Sequence, residues 1–419
     1  MLVGNTIGAG ILRTPGEVAA RLPSVPLFMS VWVVGAAYAL LGALTIAELA
    51  AMRPRSGGLY PLVDDAIGGY AGFVAGWTDW LSMAVASGAV AFVLGEYAGP
   101  LIPALAGHPA LVGAAVIVAF VLVQWRGIRV GDMVQQITSF LKALALLGLA
   151  ALIFTLSDGL APSTATAPIV PGGAALIAAV VVALQSAILT YDGWTGPIYF
   201  GEELVEPERD IPRSMIGGVL LVLAIYLVLN AAFLRVIPLA EMAGDPFVAA
   251  TAAARVFGPR GDLVLRLVMM VSLVAAVNAN LLMTSRVPFA MSRDGLLPAW
   301  LRRVTRGTPV SALIASAVVM LLAISSNTFD DLLAIAAFLY VANYALTFAC
   351  LFVSRRRFPH ARRPFRVPWY PFVPGLALAG SVAFMVAAVV TDPVHSAIAA
   401  ALVALSWPAY ALAARAPRE

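Results

Sequence analysis

The sequence predicts an all-α integral membrane protein of about 12 transmembrane helices, built as a 5+5 inverted repeat with two extra helices. Its composition is that of a membrane protein, with 61% hydrophobic and 11% charged residues and a mean hydropathy of +0.93. Its apolar residues fall into runs of the length that spans a bilayer, about 20 residues. Two of these runs, the first and the sixth, are interrupted by glycines at membrane depth, at residues 4–11 and 191–197.

The composition excludes several classes of protein. A soluble chain of 419 residues would need polar surface for two or three domains, and this chain has too little. Its net charge of +4 comes from arginines in short gaps between apolar runs, which favours membrane orientation and predicts no nucleic-acid partner. The single cysteine, Cys350, excludes an intrachain disulfide and a cysteine metal cluster. The three histidines lack metal-ligand spacing, so the sequence predicts no metal, no cofactor and no catalytic residues.

Twelve apolar segments are predicted to span the membrane. They divide the chain into a first five-helix repeat (1–156), a second (157–354), and a loop with the last two helices (355–419). An odd number of spans in each repeat forces opposite topologies, so the repeats are predicted to be inverted. The segments are 1–21, 26–52, 70–101, 109–125, 130–156, 172–203, 214–236, 262–291, 309–326, 330–353, 372–391 and 395–414.

The placement of arginine predicts the orientation. With a cytoplasmic N-terminus, eighteen arginines lie in inside loops or at the C-terminus, and four lie in outside loops. We therefore expect a multi-pass protein of the cell (inner) membrane with both termini in the cytoplasm. The seven residues before Gly8 reach roughly 10 Å as a helix. Half of the bilayer core needs about 15 Å, so helix 1 is expected to be truncated at its N-terminus.

The two breaks predict a binding site, because paired discontinuous helices at corresponding positions point to the substrate site of a transporter. The first break frees backbone amides at the start of a half-helix near Leu12, where the helix dipole suits a carboxylate. The second frees carbonyls, which suit an ammonium group, before Pro197 starts the next half-helix. Amides on one side and carbonyls on the other are typical of an α-amino-acid clamp. Close helix packing is the alternative for the first break.

The resemblance to a known family is carried by an ordered set of motifs along nearly the whole chain. They resemble those of the amino acid–polyamine–organocation superfamily, and in particular bacterial relatives of the L-type amino acid transporters. That family has a leucine-transporter-like fold with discontinuous helices 1 and 6. The motifs are Gly4–Ile11 with Thr14–Gly16, Pro54–Tyr60 after Ala47–Leu49, Tyr191–Trp194 with Glu202 and Glu203, Ser285 and Arg286 with Ser292–Pro298 and Thr308–Pro309, and Arg363–Pro368.

The resemblance implies a set of substrate-binding positions. The substrate carboxylate is expected to meet backbone amides at Ile7, Gly8, Ala9 and Gly10. The substrate amine is expected to meet carbonyls at Leu189, Thr190 and Asp192. Relatives commonly have an aromatic residue where this chain has Leu189, and a recurring asparagine where it has Asn278.

Three polar residues in apolar runs have alternative roles. Asp192 is either a counter-ion for the substrate or a cap for the next helix. Asn278 either lines the cavity or joins helices. Lys142, the only lysine, is predicted to be functional because an ionisable residue deep in a span is costly. The alternative is snorkelling to the interface. The resemblance implies that Lys142 replaces a coupling sodium ion, which would make transport sodium-independent.

The predicted function is secondary active transport of amino acids, as a permease or exchanger working by alternating access. A polyamine or amine transporter of the same fold is the first alternative. A membrane-embedded transferase is a second, and the lack of a His/Cys/Asp cluster or a GxSxG motif in the spans argues against it. The predicted partners are a small-molecule amino acid and the lipid bilayer.

Overall fold

The structure is a computed structural model that describes residues 6–8, 10–99, 101–105, 107–126, 128–157, 159, 169–326 and 329–415. These residues form helices and loops, with one isolated backbone bridge and no β-sheet. The α-helices are α1 (Gly10–Arg21), α2 (Val25–Met52), α3 (Tyr60–Ala66), α4 (Gly69–Ala98), α5 (Pro109–Trp125), α6 (Ile128–Leu156), α7 (Gly173–Thr190), α8 (Pro207–Val236), α9 (Leu239–Met242), α10 (Val248–Phe257), α11 (Pro259–Arg293), α12 (Val310–Ser326), α13 (Phe329–Arg357), α14 (Phe372–Thr391), α15 (Pro393–Ala404) and α16 (Ser406–Arg415).

Eight stretches of the described helices are long and apolar enough to cross a membrane. They lie in α2, α4, α7, α8, α11, α13, α14 and the α15–α16 pair. The other four predicted segments correspond to α1, α5, α6 and α12, whose described apolar stretches are shorter. The prediction of an all-helical membrane protein is therefore confirmed.

The outer surface of these helices is apolar, as a lipid-facing surface must be. Leu111, Leu122, Leu376 and Val390 are exposed over 57% to 75% of their area. In water, apolar patches of this extent would drive aggregation. In a bilayer they contact lipid tails instead, so the protein is a multi-pass membrane protein.

Three helices form the centre of the fold. About 70% of the apolar stretches of α4, α11 and α13 is buried, against 17% for α7 and for α15–α16. α4 packs against α11, α13, α5 and α12. Its glycines permit close approach: a Cβ at Gly95 would lie 2.2 Å from the carbonyl oxygen of Pro109 on α5.

A second group of helices packs beside this centre. α2 packs against α7 and α8, and α1 packs against α7. Gly42 of α2 lets the indole of Trp194 approach, since a Cβ there would lie 2.9 Å from the ring. This group consists of α1, α2, α7 and α8 together with the two break segments, residues 6–8 and 191–203, and is called the broken-helix group below.

The second half of segment six differs from the expected α-helix. Residues Gly196–Glu203 form a 3₁₀ helix, with non-helical angles at Phe200 (φ −120°, ψ 22°). Pro197 removes one backbone donor. Gly201 packs directly on the backbone of Arg55, where a Cβ would lie 2.8 Å from the carbonyl oxygen. This contact holds the segment against the loop between α2 and α3.

Candidate functional site

The first break lies just before α1. Thr6 is buried, Ile7 is 1% exposed, and Gly8 is half-buried in a bend. Ala9 lies outside the described residues. The described part of α1 begins at Gly10, close to the expected start near Leu12. Its first-turn amides have no earlier carbonyls in the helix to bind, which leaves them for another acceptor.

The second break follows α7, which ends at Thr190. Residues 191–195 form a turn, and Gly193 adopts φ +105°, a value that favours glycine. The amide of Asp192 donates to the carbonyl of Leu189 at 3.0 Å. One of the carbonyls expected to bind the substrate amine therefore already accepts a hydrogen bond within the turn, and its second lone pair remains.

The two breaks lie against each other at Thr190. A Cβ added to Gly10 would lie 2.9 Å from the Thr190 side chain and 3.0 Å from its Cα. The hydroxyls of Thr14 and Thr190 are 2.8 Å apart and share a hydrogen bond. The predicted contact between segments one and six thus has a specific basis, in which glycine on one side accommodates threonine on the other.

A cavity of about 130 Å³ opens between the breaks and the central helices. It is lined by five of the predicted substrate-binding residues, Gly8, Gly10, Leu189, Thr190 and Asp192. The central helices add Met83 and Ala86 from α4, Asn280 and Met283 from α11, and Leu333, Ala336 and Tyr340 from α13. The cavity is mostly apolar with a few polar groups, as expected of a small-molecule site.

Asp192 contacts the cavity through a side chain that is already oriented. Its carboxylate accepts a hydrogen bond from the Tyr344 hydroxyl of α13. The following 3₁₀ helix has Thr195 at its N-cap position and no side-chain cap hydrogen bond. Asp192 therefore accepts no hydrogen bond from that helix, and it is one of the residues that line the cavity.

Asn278 does not line the cavity. It is fully buried, and its side-chain oxygen accepts a hydrogen bond of 2.9 Å from Gln124 on α5. Asn280, two residues further along α11, is the asparagine in the wall. Of the two interpretations, the structure places Asn278 between helices. Its role in substrate binding stays a prediction.

Lys142 belongs to α6, but its side chain lies outside the described residues. Its predicted role as a substitute for a cation is therefore untested.

At one end, the cavity reaches charged residues on α1. Arg13 and Glu17 line this end. The guanidinium of Arg13 lies 3.7 Å from the carboxylates of both Glu17 and Glu96. This end is called the α1 mouth.

Behind Tyr199, which lines the cavity, the wall is closed by the contacts of a buried carboxylate that is not itself a lining residue. Asp79 of α4 is fully buried and accepts hydrogen bonds from the Tyr199 hydroxyl (2.8 Å) and the Leu59 amide (3.2 Å). Gly58 has φ +73°, and a Cβ there would lie 2.3 Å from the Tyr199 ring. The 3₁₀ helix, the α2–α3 loop and α4 are thus bound together below the cavity.

Ion pairs lie beyond this closure, on the face that carries most of the arginines, called the basic face here. Arg286 donates to Glu203 at 2.9 and 3.1 Å and stacks on Phe200, with its guanidinium carbon 4.0 Å from the ring centre. Arg293 binds Glu202 through two hydrogen bonds of 2.8 and 2.9 Å.

A second pair of contacts on the basic face joins the α2–α3 loop to the end of α11. The guanidinium of Arg55 lies 2.5 Å from Asp294, which also accepts a 2.8 Å hydrogen bond from Tyr60. Burial, together with the hydrogen bond to Asp294, raises the pKa of Tyr60. The basic face is therefore closed by several charged and hydrogen-bonded contacts between the broken-helix group, its loops and α11.

Sequence reasoning missed the tyrosines of the site. Tyr199, Tyr340 and Tyr344 were not singled out, yet Tyr199 and Tyr340 line the cavity and Tyr344 orients Asp192. Tyr340, Tyr344 and Phe348 are spaced by four residues, and neighbouring rings lie 6.2 Å apart. That helical spacing of aromatic residues within an apolar run was the available signal.

A multi-pass helical membrane protein with a cavity between two broken helices has the architecture of a secondary transporter. Comparison with known proteins gives the family. The chain belongs to the amino acid permease family, which matches residues 1–407, within the amino acid–polyamine–organocation superfamily. The predicted family is confirmed, and so is the prediction of a transporter that is not an enzyme.

Several known transporters are similar over most of their length. The serine/threonine exchanger SteT of Bacillus subtilis is 29% identical over 98% of this chain and 94% of its own. The mouse b(0,+)-type amino acid transporter 1 is 28% identical, over 94% of this chain and 81% of its own. The human large neutral amino acids transporter small subunit 2 is 29% identical, over 88% and 70%.

Proposed function

We propose that the protein is a sodium-independent secondary transporter that carries amino acids across the cell membrane by alternating access. The observation that carries the proposal is the cavity between the breaks. Its wall includes Gly8 and Gly10 of the first break and Asp192 of the second. A ligand with a carboxylate and an ammonium group on one carbon matches these two sides.

Each side of the clamp has a physical basis. The start of α1 combines free amides with the positive end of the helix dipole, which favours a carboxylate. On the other side, Asp192 forms no salt bridge among the described residues, so the substrate ammonium group would supply the missing positive charge. We propose Asp192 as the counter-ion of the amine, together with the carbonyls of Leu189 and Thr190. Ile7 and Ala9 contribute to the carboxylate side.

The substrate side chain would lie against the central helices. Met83, Ala86 and Met283 give this part of the cavity an apolar wall, which favours an uncharged side chain. The similarity to a serine/threonine exchanger supports a small neutral amino acid as the substrate.

We further propose the architecture that alternating access requires. The chain would have twelve spans, with inverted five-helix repeats at 1–156 and 157–354 and two further helices in 355–419. The basic face would be cytoplasmic, together with both termini. The structure would then be a state closed toward the cytoplasm, because Arg286–Glu203 and Asp79–Tyr199 bind that side while the cavity reaches the α1 mouth.

The test is uptake of labelled amino acids into proteoliposomes that contain the purified protein. The panel contains serine, threonine, leucine and lysine, each assayed with and without unlabelled amino acid inside. We expect uptake of neutral amino acids, and acceleration by internal substrate would identify exchange. Lack of uptake of every amino acid, by protein that remains monodisperse, would contradict the proposal.

Buried acidic groups favour one alternative, a transporter of polyamines or other amines. Asp79 is fully buried, Asp192 is in the cavity wall, and neither forms a salt bridge among the described residues. A diamine without a carboxylate would need such groups and would leave the α1 amides unused. Labelled putrescine in the same proteoliposomes distinguishes the two: uptake of putrescine but not of serine would favour the amine transporter.

A further inference from the structure

The loop between α11 and α12 carries three arginines that no carboxylate of the described chain neutralises. Arg302, Arg303 and Arg306 are exposed and form no ion pair among the described residues. Like charges this close together repel one another, so the loop is a positive surface to which an anion can bind. Other arginines of the basic face are paired, as in Arg55–Asp294, Arg293–Glu202, Arg355–Glu48 and Arg362–Glu208.

Arg306 has a backbone conformation that does not suit an arginine. The backbone groups of Thr305 and Thr308 bind each other through hydrogen bonds of 2.8 and 3.0 Å, which close a two-residue turn. Both residues in the turn have positive φ, +52° at Arg306 and +81° at Gly307. A turn of this kind favours Asn, Asp or Gly, and other side chains are strained there. The chain therefore keeps a positive charge at the tip at a cost in stability, which points to a use for that charge.

The loop is fixed against the end of α5, which adds a fourth positive charge. The Thr308 hydroxyl donates to the carbonyl oxygen of Gln124 at 2.9 Å. Arg126, two residues after Gln124, is exposed and also forms no ion pair among the described residues. At the start of the loop, the Ser292 hydroxyl donates to the carbonyl oxygen of Pro298 at 2.7 Å. We call Arg126, Arg302, Arg303 and Arg306 the arginine surface.

Two exposed tryptophans place this surface at the membrane interface. Trp125 ends α5 and Trp300 precedes the loop arginines, and these residues are 47% and 50% exposed. Indoles prefer the level of the lipid headgroups, where both the apolar ring and the N–H group find partners. α5 and α12 have 17 residues each, which is about 26 Å of helix and close to the thickness of the hydrocarbon core. Residues just beyond these helix ends therefore lie at the depth of the lipid phosphates.

We propose that the arginine surface binds the headgroups of anionic phospholipids in the leaflet at the basic face. The lipid phosphodiester supplies a negative charge and acceptor oxygens to the guanidinium groups. Trp125 and Trp300 contact the glycerol and the upper part of the acyl chains. The surface lies on α5 and between α11 and α12, which all pack against α4. Bound lipid therefore holds the central helices in the leaflet while the broken-helix group is left free to move.

The inference goes beyond the proposed function and does not depend on it, because its first test measures lipid binding without transport. Native mass spectrometry of the purified protein compares phosphatidylglycerol with phosphatidylcholine of the same acyl chains. We expect the wild type to prefer phosphatidylglycerol by at least about tenfold, since each arginine near anionic lipid adds to the affinity. The combined variant Arg302→Gln, Arg303→Gln and Arg306→Gln should reduce this preference to about twofold or less.

The matched control removes three arginines that already have carboxylate partners. Arg53→Gln, Arg209→Gln and Arg362→Gln together lower the net charge by the same amount, and each of these arginines is exposed and ion-paired. We expect this control to keep the preference for phosphatidylglycerol. An equal loss in both variants, or a wild type that does not distinguish the two lipids, would overturn the proposal. If glycerol 3-phosphate binds as tightly as phosphatidylglycerol, the surface is a site for soluble phosphates and the proposal is also overturned.

The second test separates the charge of Arg306 from the structure of its turn. Asparagine suits the left-handed conformation at the tip, so Arg306→Asn is expected to raise Tm in detergent. The same variant should bind phosphatidylglycerol about fivefold more weakly, because the charge is lost. Arg306→Lys keeps the charge and should retain the affinity within about twofold. If Arg306→Asn binds phosphatidylglycerol with the wild-type affinity, the tip does not contact lipid and the proposal is overturned.

Discussion

At the scale of single residues, Gly10 lies directly against Thr190 of the second break. We expect Gly10→Ala to weaken amino-acid binding by about tenfold or more, equivalent to about 1.4 kcal/mol. The added Cβ would lie 2.9 Å from the Thr190 side chain, so the breaks must separate. Gly217→Ala is the control, since a Cβ there meets no atom within 4 Å. Equal KM values for Gly10→Ala and Gly217→Ala would show that the close contact of Gly10 with Thr190 does not contribute to substrate binding.

The charge of Asp192 provides a second prediction at this scale. Asp192→Asn keeps an oxygen that can accept from Tyr344 but removes the negative charge. We expect the affinity for an amino acid to fall about tenfold to a hundredfold, because a charged hydrogen bond contributes about 1.5–3 kcal/mol. The measurement is the Kd for serine by calorimetry, with Asp392→Asn, a helix cap in the loop between α14 and α15, as control. Unchanged affinity would mean that the substrate amine is bound by the backbone carbonyls without the charge of Asp192.

The sequence predicted backbone that lines the cavity between the breaks and missed the side chains that orient it. Glycines that interrupt an apolar run can be recognised from the sequence alone, so Gly8, Gly10 and the turn at Gly193 were predicted. Tyr226 of α8 and Tyr344 of α13 donate hydrogen bonds to residues far away in the sequence, Thr6 and Asp192, and only the packed helices bring them together. Asn278 shows the converse: its type suited a binding site, and packing placed it against Gln124.

At the scale of elements, the contact between α11 and the 3₁₀ helix is expected to control opening of the basic face. Arg286 combines two hydrogen bonds to Glu203 with stacking on Phe200. A lysine keeps the charge but has neither the planar fork nor the stacking surface. We therefore expect Arg286→Lys to increase opening of this face about as much as Glu203→Gln does.

Opening is measured by alkylation of Ser285→Cys from the basic face in a Cys350→Ser background. Ser285 is 2% exposed, next to Arg286, so a cysteine there reacts only when this face opens. Arg362→Lys is the control, because Arg362 pairs with Glu208 at an exposed position where ion pairs contribute little. If Arg286→Lys alkylates at the wild-type rate, the contact does not hold the face closed.

The boundaries of a helix could be predicted where its backbone hydrogen bonds lie within that helix. The long apolar helices α2, α4 and α8 appear near their expected positions because periodic backbone bonding and apolar length determine them. The 3₁₀ form of Gly196–Glu203 could not be predicted, because it depends on the approach of Gly201 to the backbone of Arg55. That contact joins residues far apart in the sequence.

At the scale of the whole molecule, the broken-helix group packs beside the central helices α4, α11 and α13, and the proposed alternating access would move one group against the other. The broken-helix group holds both breaks, and Tyr226 and Thr14 connect the breaks within it. Contacts from this group to the central helices include Asp79–Tyr199, Arg286–Glu203 and Asp192–Tyr344. Each joins a side chain of the broken-helix group to one of the central group, so these bonds must exchange when one group moves against the other.

Lys142 is expected to determine whether transport depends on sodium. If Lys142 replaces a coupling sodium ion, initial uptake rates should be equal in sodium and choline buffers. Lys142→Ala should lower the rate at least about tenfold, since a cation within a span binds groups that water does not reach. Lys142→Arg is expected to restore little, because a planar guanidinium does not replace a compact ammonium group. Arg21→Ala, near the end of α1, is the control for loss of a positive charge.

Strict sodium dependence of the wild type, or full activity of Lys142→Ala, would rule out this role, and the two outcomes differ in meaning. The first would require a cation site in the protein, whereas the second would leave sodium independence intact and assign it to another residue.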